Sequence, residues 1–591
     1  MPTYTPPLKD YDFLLHDFLT IQNYDMYPEY EFNQEFTKPI LEEAGKLATE
    51  VLHPLNLQGD LHGCKLENGS VKTPPGFKAA FDELKDGGWP SLNCDPLYGG
   101  QGIPLTLSTA IGEMFGAANV AFAIYNVLSH GVYSTILAHG TEHQKQTFLP
   151  HIVSCNWTGT MNLTEPQCGT DLGLINTKAI EQMDGSYTIS GEKIYISAGD
   201  HDLSDNIIHL VLAKIPGENS GVKGLSLFIV PKFLPNSNNN WTVRNEISVG
   251  KIENKMGIHG NATCSMNYNG ATGYILGEKN KGLRAMFTMM NEARLAVGIQ
   301  GLSQAEISYQ NAVFFAKDRL QGRGLSEVKK ANTIADPIIV HPDIRRILLE
   351  QKAFIEGGRA LALWSAFLMD QATLEKNSDM AGLANLLIPV VKAFLTDKGF
   401  ETTIACQQIF GGQGYIEETG MSQFARDARI AMIYEGTNAI QAIDLVGRKL
   451  ASNSGQNVVL FLSIVKEFAD KNCNDSDFSK EFLEPLRRSV DDLEKALEYF
   501  MKNGIKNPNS ALAGASDFLH LFGIVLLSFM WARMAFISKT LLNTEEEKEF
   551  HKSKIITGRF FMQRCCPETK LRLSRILTGE KNIMELPETC F

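Results

Sequence analysis

Glu435 stands between Tyr434 and Gly436-Thr437, directly before a fresh apolar-periodic segment. A backbone turn at that place can aim its carboxylate into a cavity, which makes Glu435 the candidate general base. The same neighbours suit a helix-capping turn, since Gly and Thr are favoured turn and N-cap types, and on these residues alone both readings stand. The surrounding stretch, 405–441, runs from an apolar helix end through Gly411-Gly412-Gln413-Gly414 and Arg426-Asp427-Ala428-Arg429. A second stretch lies far upstream. It holds Thr164-Glu165-Pro166 and Gly169-Thr170-Asp171, and is followed by Gly191-Glu192-Lys193-Ile194-Tyr195-Ile196-Ser197. Tyr98-Gly99-Gly100-Gln101-Gly102 is a glycine loop that could approach a ligand, but it lacks the third glycine and the preceding strand of a dinucleotide fingerprint. The ten cysteines show neither a CxxC pair nor a His/Cys cluster at zinc spacing, so they read as reduced thiols with no metal site.

These residues need elements to hold them. A chain of 591 residues is too long for one hydrophobic core, so several domains are expected. Hydrophobic residues at 44% and charged residues at 21% place it with ordinary soluble globular proteins. A net charge of −12 supplies no broad basic face, which argues against a nucleic-acid partner. The expected fold class is multidomain α+β. Residues 1–35 form an N-terminal extension, a Pro-rich start and a short helical pattern, read as an arm packed on the body or a loose tail. In 36–155 apolar positions recur at helical spacing, giving a helical N-terminal domain. In 156–275 residues alternate between Gly, Asn, Asp and Pro breaks, which predicts a small antiparallel β-barrel or sandwich as middle domain. Long apolar-striped helices return in 281–450 as a helical-bundle C-terminal domain. After a linker candidate, SNSGQN, residues 456–591 read as an extra helical C-terminal extension. Its apolar segment 518–536 is interrupted by His520 and Arg533 and is short for a span, so a buried bundle helix is expected rather than a membrane segment. The N-terminus has prolines and acids and no apolar signal core, which points to the cytoplasm.

TEPxxGTD, then GEKIYIS, then RDARIxxIYEGTNxIQ, in that order, resembles the acyl-CoA dehydrogenase family over residues 36–450. The added terminal segments resemble that family's longer bacterial branch. Desaturating a thioester needs one hydrogen removed as a proton and one as a hydride, and no amino acid accepts a hydride. The resemblance therefore implies FAD, with Glu435 as the family's base and electron-transfer flavoprotein as electron acceptor. It implies that the substrate carbonyl is polarised by the backbone N–H of the base and a flavin hydroxyl. It places Met161, Leu163 and Thr164 at the pyrimidine edge, and Gly169 and Thr170 near the pyrophosphate. Tyr195 stands where a Trp commonly flanks the ring, and Ser197 keeps a hydroxyl there. Arg319, with Gln321, corresponds to an arginine reaching the FAD phosphates of a neighbouring subunit, and Gln408 and Gly412 match positions closing over that cofactor. Thr437 is a further flavin contact, while Ala439 replaces a glutamine found in relatives. Thr170, Asn291, Arg294 and Gly436 match acyl-CoA contacts. A site completed across an interface implies an oligomer, and the extension points to a homodimer. Some relatives carry the base one residue before the arginine of the helix, but here that position is Ala293, and Glu292 would point about 100° away. The substrate stays open between a short thioether acyl-CoA and a straight-chain fatty acyl-CoA. The alternatives are an acyl-CoA oxidase, differing in access of O2, and a DNA-associated damage-response flavoprotein, which would need a basic channel. The oxidase reading is disfavoured by a C-terminus without a peroxisomal tripeptide.

Overall fold

A computed structural model describes residues 2–24, 31–326, 329–504, 506–542 and 547–591. The chain forms two units, one of residues 1–45, 105–117 and 297–591, the other of residues 46–104 and 118–296. The stretch 36–155 thus contributes to both.

The second unit is built on a seven-stranded sheet. Val211, Phe228, Ile189 and Met266 alternate inward along their strands and share one core with Tyr187 and Tyr268. Strand Thr263–Leu276 is 14 residues long. It pairs first with Tyr187–Ser197 and then, past a bulge at Asn269/Ala271, with Leu225–Pro231. Gly270, at φ +93°, allows that bend, which an L side chain would resist. Leu225–Pro231 also pairs with Asn206–Lys214, so the ladder returns on itself.

The sheet is mixed, which corrects the expectation of an antiparallel middle domain. Strand Trp157–Asn162 runs parallel to Asn206–Lys214 along its whole length, and Lys178 pairs parallel with Lys214. Between Asn162 and Asn206 the chain first builds the hairpin of Lys178–Glu181 and Tyr187–Ser197. That crossover, rather than a tight turn, brings the next strand back in the same direction.

The first unit is helical. Its long members include Pro342–Leu374, Ser378–Ile409 and Pro508–Leu541. Helix Pro508–Leu541 is long and apolar enough to cross a membrane, yet 83% of its most apolar window is buried inside the protein. Trp531 on it is fully buried and donates to the Ala353 carbonyl at 2.9 Å. The terminal arm is packed rather than loose among its described residues, with Tyr11, Leu14 and Leu15 fully buried. Asp10 ties it down: the buried guanidinium of Arg359 donates to Asp10 at 2.5 Å, to Glu306 at 2.5 Å and to Glu113 at 2.7 Å. Lys554 of the extension joins the same cluster through Asp10 and Glu356. The linker candidate is a tight turn, Ser452–Gly455, with Asn453 and Ser454 in the left-handed region, leading straight into helix Gln456–Lys471.

Candidate active site

In the first unit, helix Met421–Arg429 runs through a short turn, Ile430–Met432, to Tyr434. The Tyr434 hydroxyl donates to Gln300. Burial, and then the neighbouring Glu435 charge, push this hydroxyl's pKa well above its ordinary value. Glu435 has φ +57° and Gly436 φ +82°. Two successive left-handed residues reverse the chain, and the non-glycine one costs roughly 1–2 kcal/mol, strain of the kind that collects at functional sites. The surroundings hold it there. Gln441 Nε2 donates to the Glu435 carbonyl at 2.9 Å. Buried Lys392 Nζ donates to the Gly436 carbonyl and to Asn438 Oδ1, each at 2.8 Å. Thr437 N-caps the next helix, Asn438–Asp444, accepting from the Ile440 N–H at 3.3 Å. The capping reading of these residues is therefore correct, and it coexists with a half-buried glutamate whose Oε2 is shielded from solvent.

The same unit presents a cluster of polar groups outward. Arg319, Gln321, Gln408 and Gly412 are all exposed. Phe315 stacks on Phe410 at 4.2 Å, bringing the end of helix Gly282–Asp318, where Arg319 follows, to the turn that carries Gly411 and Gly412. A Cβ added to either glycine would meet nothing within 4 Å, so the space beside this stretch of backbone is open.

In the second unit, Thr164 and Gly169 lie side by side, since a Cβ on Gly169 would meet Thr164 Cγ2 at 3.8 Å. The two upstream motifs are stitched together: the Ile194 N–H donates to the Thr164 carbonyl at 2.9 Å. Beneath, Lys193 is completely buried and its Nζ donates to the Leu163 carbonyl and to Glu165, each at 2.9 Å. Glu165 also accepts from the Asn176 and Thr177 backbone and from the Thr177 hydroxyl. Burial raises the Glu165 carboxyl, but Lys193 and these donors outweigh it and bring its pKa down to about 2. Burial brings Lys193 down to about 8 despite its partner. Met161 and Ser197 are half-buried, Leu163 is buried and Thr170 is exposed. Tyr195 is 62% exposed, so it is a surface group and not a sheet-core residue. It also lies in the left-handed region, at φ +60°.

On helix Gly282–Asp318, Asn291 is half-buried and Arg294 is buried, its guanidinium 5.9 Å from the Phe287 ring centroid. Glu292 is bonded to His130. Burial pushes the Glu292 carboxyl up, but the His130 charge and hydrogen bond outweigh it and leave the carboxyl below its ordinary range. It is committed to that partner, which favours Glu435 over Glu292 as a base. Sequence reasoning missed Lys392, Gln441 and the Glu165–Lys193 pair. A lone lysine in the apolar run LANLLIPVVKAFL, and one at an inward strand position, were the available signals.

Each unit by itself carries groups that suit a dinucleotide flavin: a locked backbone edge with an exposed tyrosine in one, exposed arginine, glutamines and bare glycines in the other. That donor chemistry fits FAD, and the class it defines is a flavin-dependent oxidoreductase. The family models for acyl-CoA dehydrogenase match in chain order: the N-terminal domain over residues 36–156, the middle domain over 160–271 and the C-terminal domain over 280–450. An "Acetyl-CoA dehydrogenase C-terminal like" model matches residues 461–587. A 3-methylmercaptopropionyl-CoA dehydrogenase of Ruegeria pomeroyi is 38% identical over 98% of this chain and 99% of its own length. Two solved structures share the fold. Caenorhabditis elegans ACDH-11 in complex with C11-CoA has a TM-score of 0.80 at 18% identity, covering 99% of this chain and 96% of that one. A Bacillus anthracis acyl-CoA dehydrogenase complexed with FAD has a TM-score of 0.71 at 21% identity, covering 95% and 90%. The chain belongs to the acyl-CoA dehydrogenase family, FAD-dependent oxidoreductases with helical N- and C-terminal domains around a sheet middle domain.

Proposed function

We propose that the protein desaturates an acyl-CoA thioester between its α and β carbons, with Glu435 as the base that takes the α-proton. The observation that carries this is the strained turn at Glu435, whose carboxylate oxygen Oε2 is shielded from water while its backbone is held by Gln441. A carboxylate held by a fixed turn can be placed within reach of the proton it abstracts, which is the first requirement of a general base. FAD, held by the residues below, would supply the acceptor for the β-hydride. Met161, Leu163 and Thr164 hold the pyrimidine edge of the ring, Tyr195 and Ser197 flank it, and Gly169 and Thr170 let the backbone approach the pyrophosphate. Arg319, with Gln321, Gln408 and Gly412, clamps the cofactor of a second subunit, since a guanidinium donates twice to phosphate. A site completed across an interface makes the protein an oligomer, and the extension 456–591, in the place a second pair of subunits would take, makes it a homodimer. Asn291, Arg294, Thr170 and Gly436 contact the acyl-CoA, and Thr437 the flavin.

The domains fall at 1–35, 36–155, 156–275, 281–450 and 456–591, and the returning ladder of the middle domain is a small closed barrel. Electrons pass to an electron-transfer flavoprotein, and the enzyme works in the cytoplasm, its long apolar helices serving as bundle core. The Ruegeria relative is named for its action on 3-methylmercaptopropionyl-CoA, which makes that thioester the first substrate to try, with straight-chain acyl-CoAs beside it. A panel of acyl-CoAs scored by anaerobic bleaching of the flavin tests reaction and specificity together. Glu435→Gln should keep flavin bound and lose about 10²–10⁴-fold in turnover. Near-wild-type turnover in that variant overturns the assignment of the base.

A further inference from the structure

Helix Pro508–Leu541 of the extension reaches the turn that carries Glu435. His520 on that helix bonds through Nε2 to Asp397 Oδ2 at 2.9 Å. The other carboxylate oxygen of Asp397 accepts from Asn438 Nδ2 at 2.6 Å. Asn438 Oδ1 in turn accepts from Lys392 Nζ at 2.8 Å, and the same ammonium holds the Gly436 carbonyl at 2.8 Å. A continuous chain of hydrogen bonds thus runs from the extension to the residue after Glu435. Its members are largely shielded, with His520 and Asp397 side chains only 13% and 18% exposed. The two helices are also locked in packing. The His520 ring meets Phe394 edge-on at 5.6 Å, and a Cβ on Gly523 would strike the Phe394 ring at 2.5 Å.

We infer that His520, Asp397, Asn438 and Lys392 form a positioning relay through which the C-terminal extension fixes the Glu435 turn in its reactive geometry. The inference rests on the reading of Glu435 as the base. The physical need is plain: Glu435 sits in a left-handed conformation that a free turn would leave. Asn438 begins the helix that follows the turn, so pinning its amide and the Gly436 carbonyl holds both sides of the reversal. Bonds to the charged groups Asp397 and Lys392 are the stronger kind, and in a shielded site they resist exchange with water. His520 is thus a positioning residue, which acts on the turn through Asp397.

The test uses full-length holoenzyme. His520→Phe keeps an aromatic ring against Phe394 and removes the bond to Asp397, whereas His520→Gln restores a donor. In His520→Phe, kcat should fall about ten- to a hundredfold with KM little changed, since misplacement of a reacting group by about 1 Å costs that much. Backbone amides of residues 434–441 should exchange with deuterium faster, while flavin content and melting temperature hold, and His520→Gln should recover most of kcat. Should His520→Phe fail to fold, Asp397→Asn, which removes the charge at constant size, should give the same loss and the same faster exchange. Wild-type turnover and exchange in folded His520→Phe, or equal impairment by Phe and Gln, overturns the relay. If Glu435→Gln abolishes turnover in that same series, only the relay has failed. If Glu435→Gln stays active while the exchange changes appear, only the base assignment has failed.

Discussion

Replacing Lys193 with methionine should be far more damaging than its place in a plain strand motif implies. The side chain is fully buried and its ammonium has two partners, the Leu163 carbonyl and Glu165. Methionine keeps the length and apolar stem but leaves Glu165 a shielded anion. Breaking a buried ion pair from one side costs about 3–5 kcal/mol. Glu165 retains donors from Asn176 N at 2.6 Å, Thr177 N at 3.0 Å, the Thr177 hydroxyl at 2.6 Å and Gln167 Nε2 at 2.7 Å, which puts its loss at the lower end. The Leu163 carbonyl, left unsatisfied, adds about 1 kcal/mol, for a total near 4 kcal/mol. Urea unfolding of the second unit, followed by deuterium exchange at residues 157–197, measures it. The double variant Glu165→Gln/Lys193→Met removes both charges and should regain at least about half of the loss, because no lone buried charge remains. If Leu163 and Thr164 hold the flavin edge, apo-protein of the single variant should also bind FAD more weakly. A single variant within about 1 kcal/mol of wild type, or a double variant no more stable than the single, refutes the reasoning.

Two further outcomes follow from buried charge. Arg359→Met strands Glu113 and Glu306 and leaves Asp10 with Lys554 alone, so soluble yield and melting temperature should fall sharply, by at least the roughly 3–5 kcal/mol of one broken buried pair. Arg359→Lys should rescue little, since one ammonium cannot serve the three positions of a planar fork. Acid should weaken the fold as well. Glu165 and Asp10 are each held down to about 2 in the native state, below the ordinary carboxylate values of 4.5 and 3.8. Unfolded chain therefore binds protons that native chain refuses, so the stability they confer is complete above about pH 5 and is lost as pH falls toward 2. A urea midpoint that does not move over this range, or one whose acid slope is the same in Glu165→Gln/Lys193→Met, counts against that assignment.

Much of this was legible in residue order because it is local. The Tyr434 to Thr437 segment announces a turn through its glycine and its cap, and the structure makes it one with Thr437 as N-cap. Alternation in 187–197 and the helical period in 484–503 report which side of an element is buried, and strand Tyr187–Ser197 and helix Glu484–Asn503 form there. The motif order was enough to identify the family and its flavin. What periodicity does not carry is the partner of a buried face. Nothing in Trp157–Asn162 says that it lies parallel to Asn206–Lys214, because the direction of a neighbouring strand depends on the path of the chain between them. Lys193 and Lys392 looked like ordinary letters, and only burial against carbonyls distant in sequence makes them struts. His520 and Asp397, 123 positions apart, became neighbours only when helix Pro508–Leu541 packed on helix Ser378–Ile409. Residue types and short spacings thus determined the chemistry available to this protein. Long-range packing decided which charges are desolvated, and so which of them hold the candidate base in place.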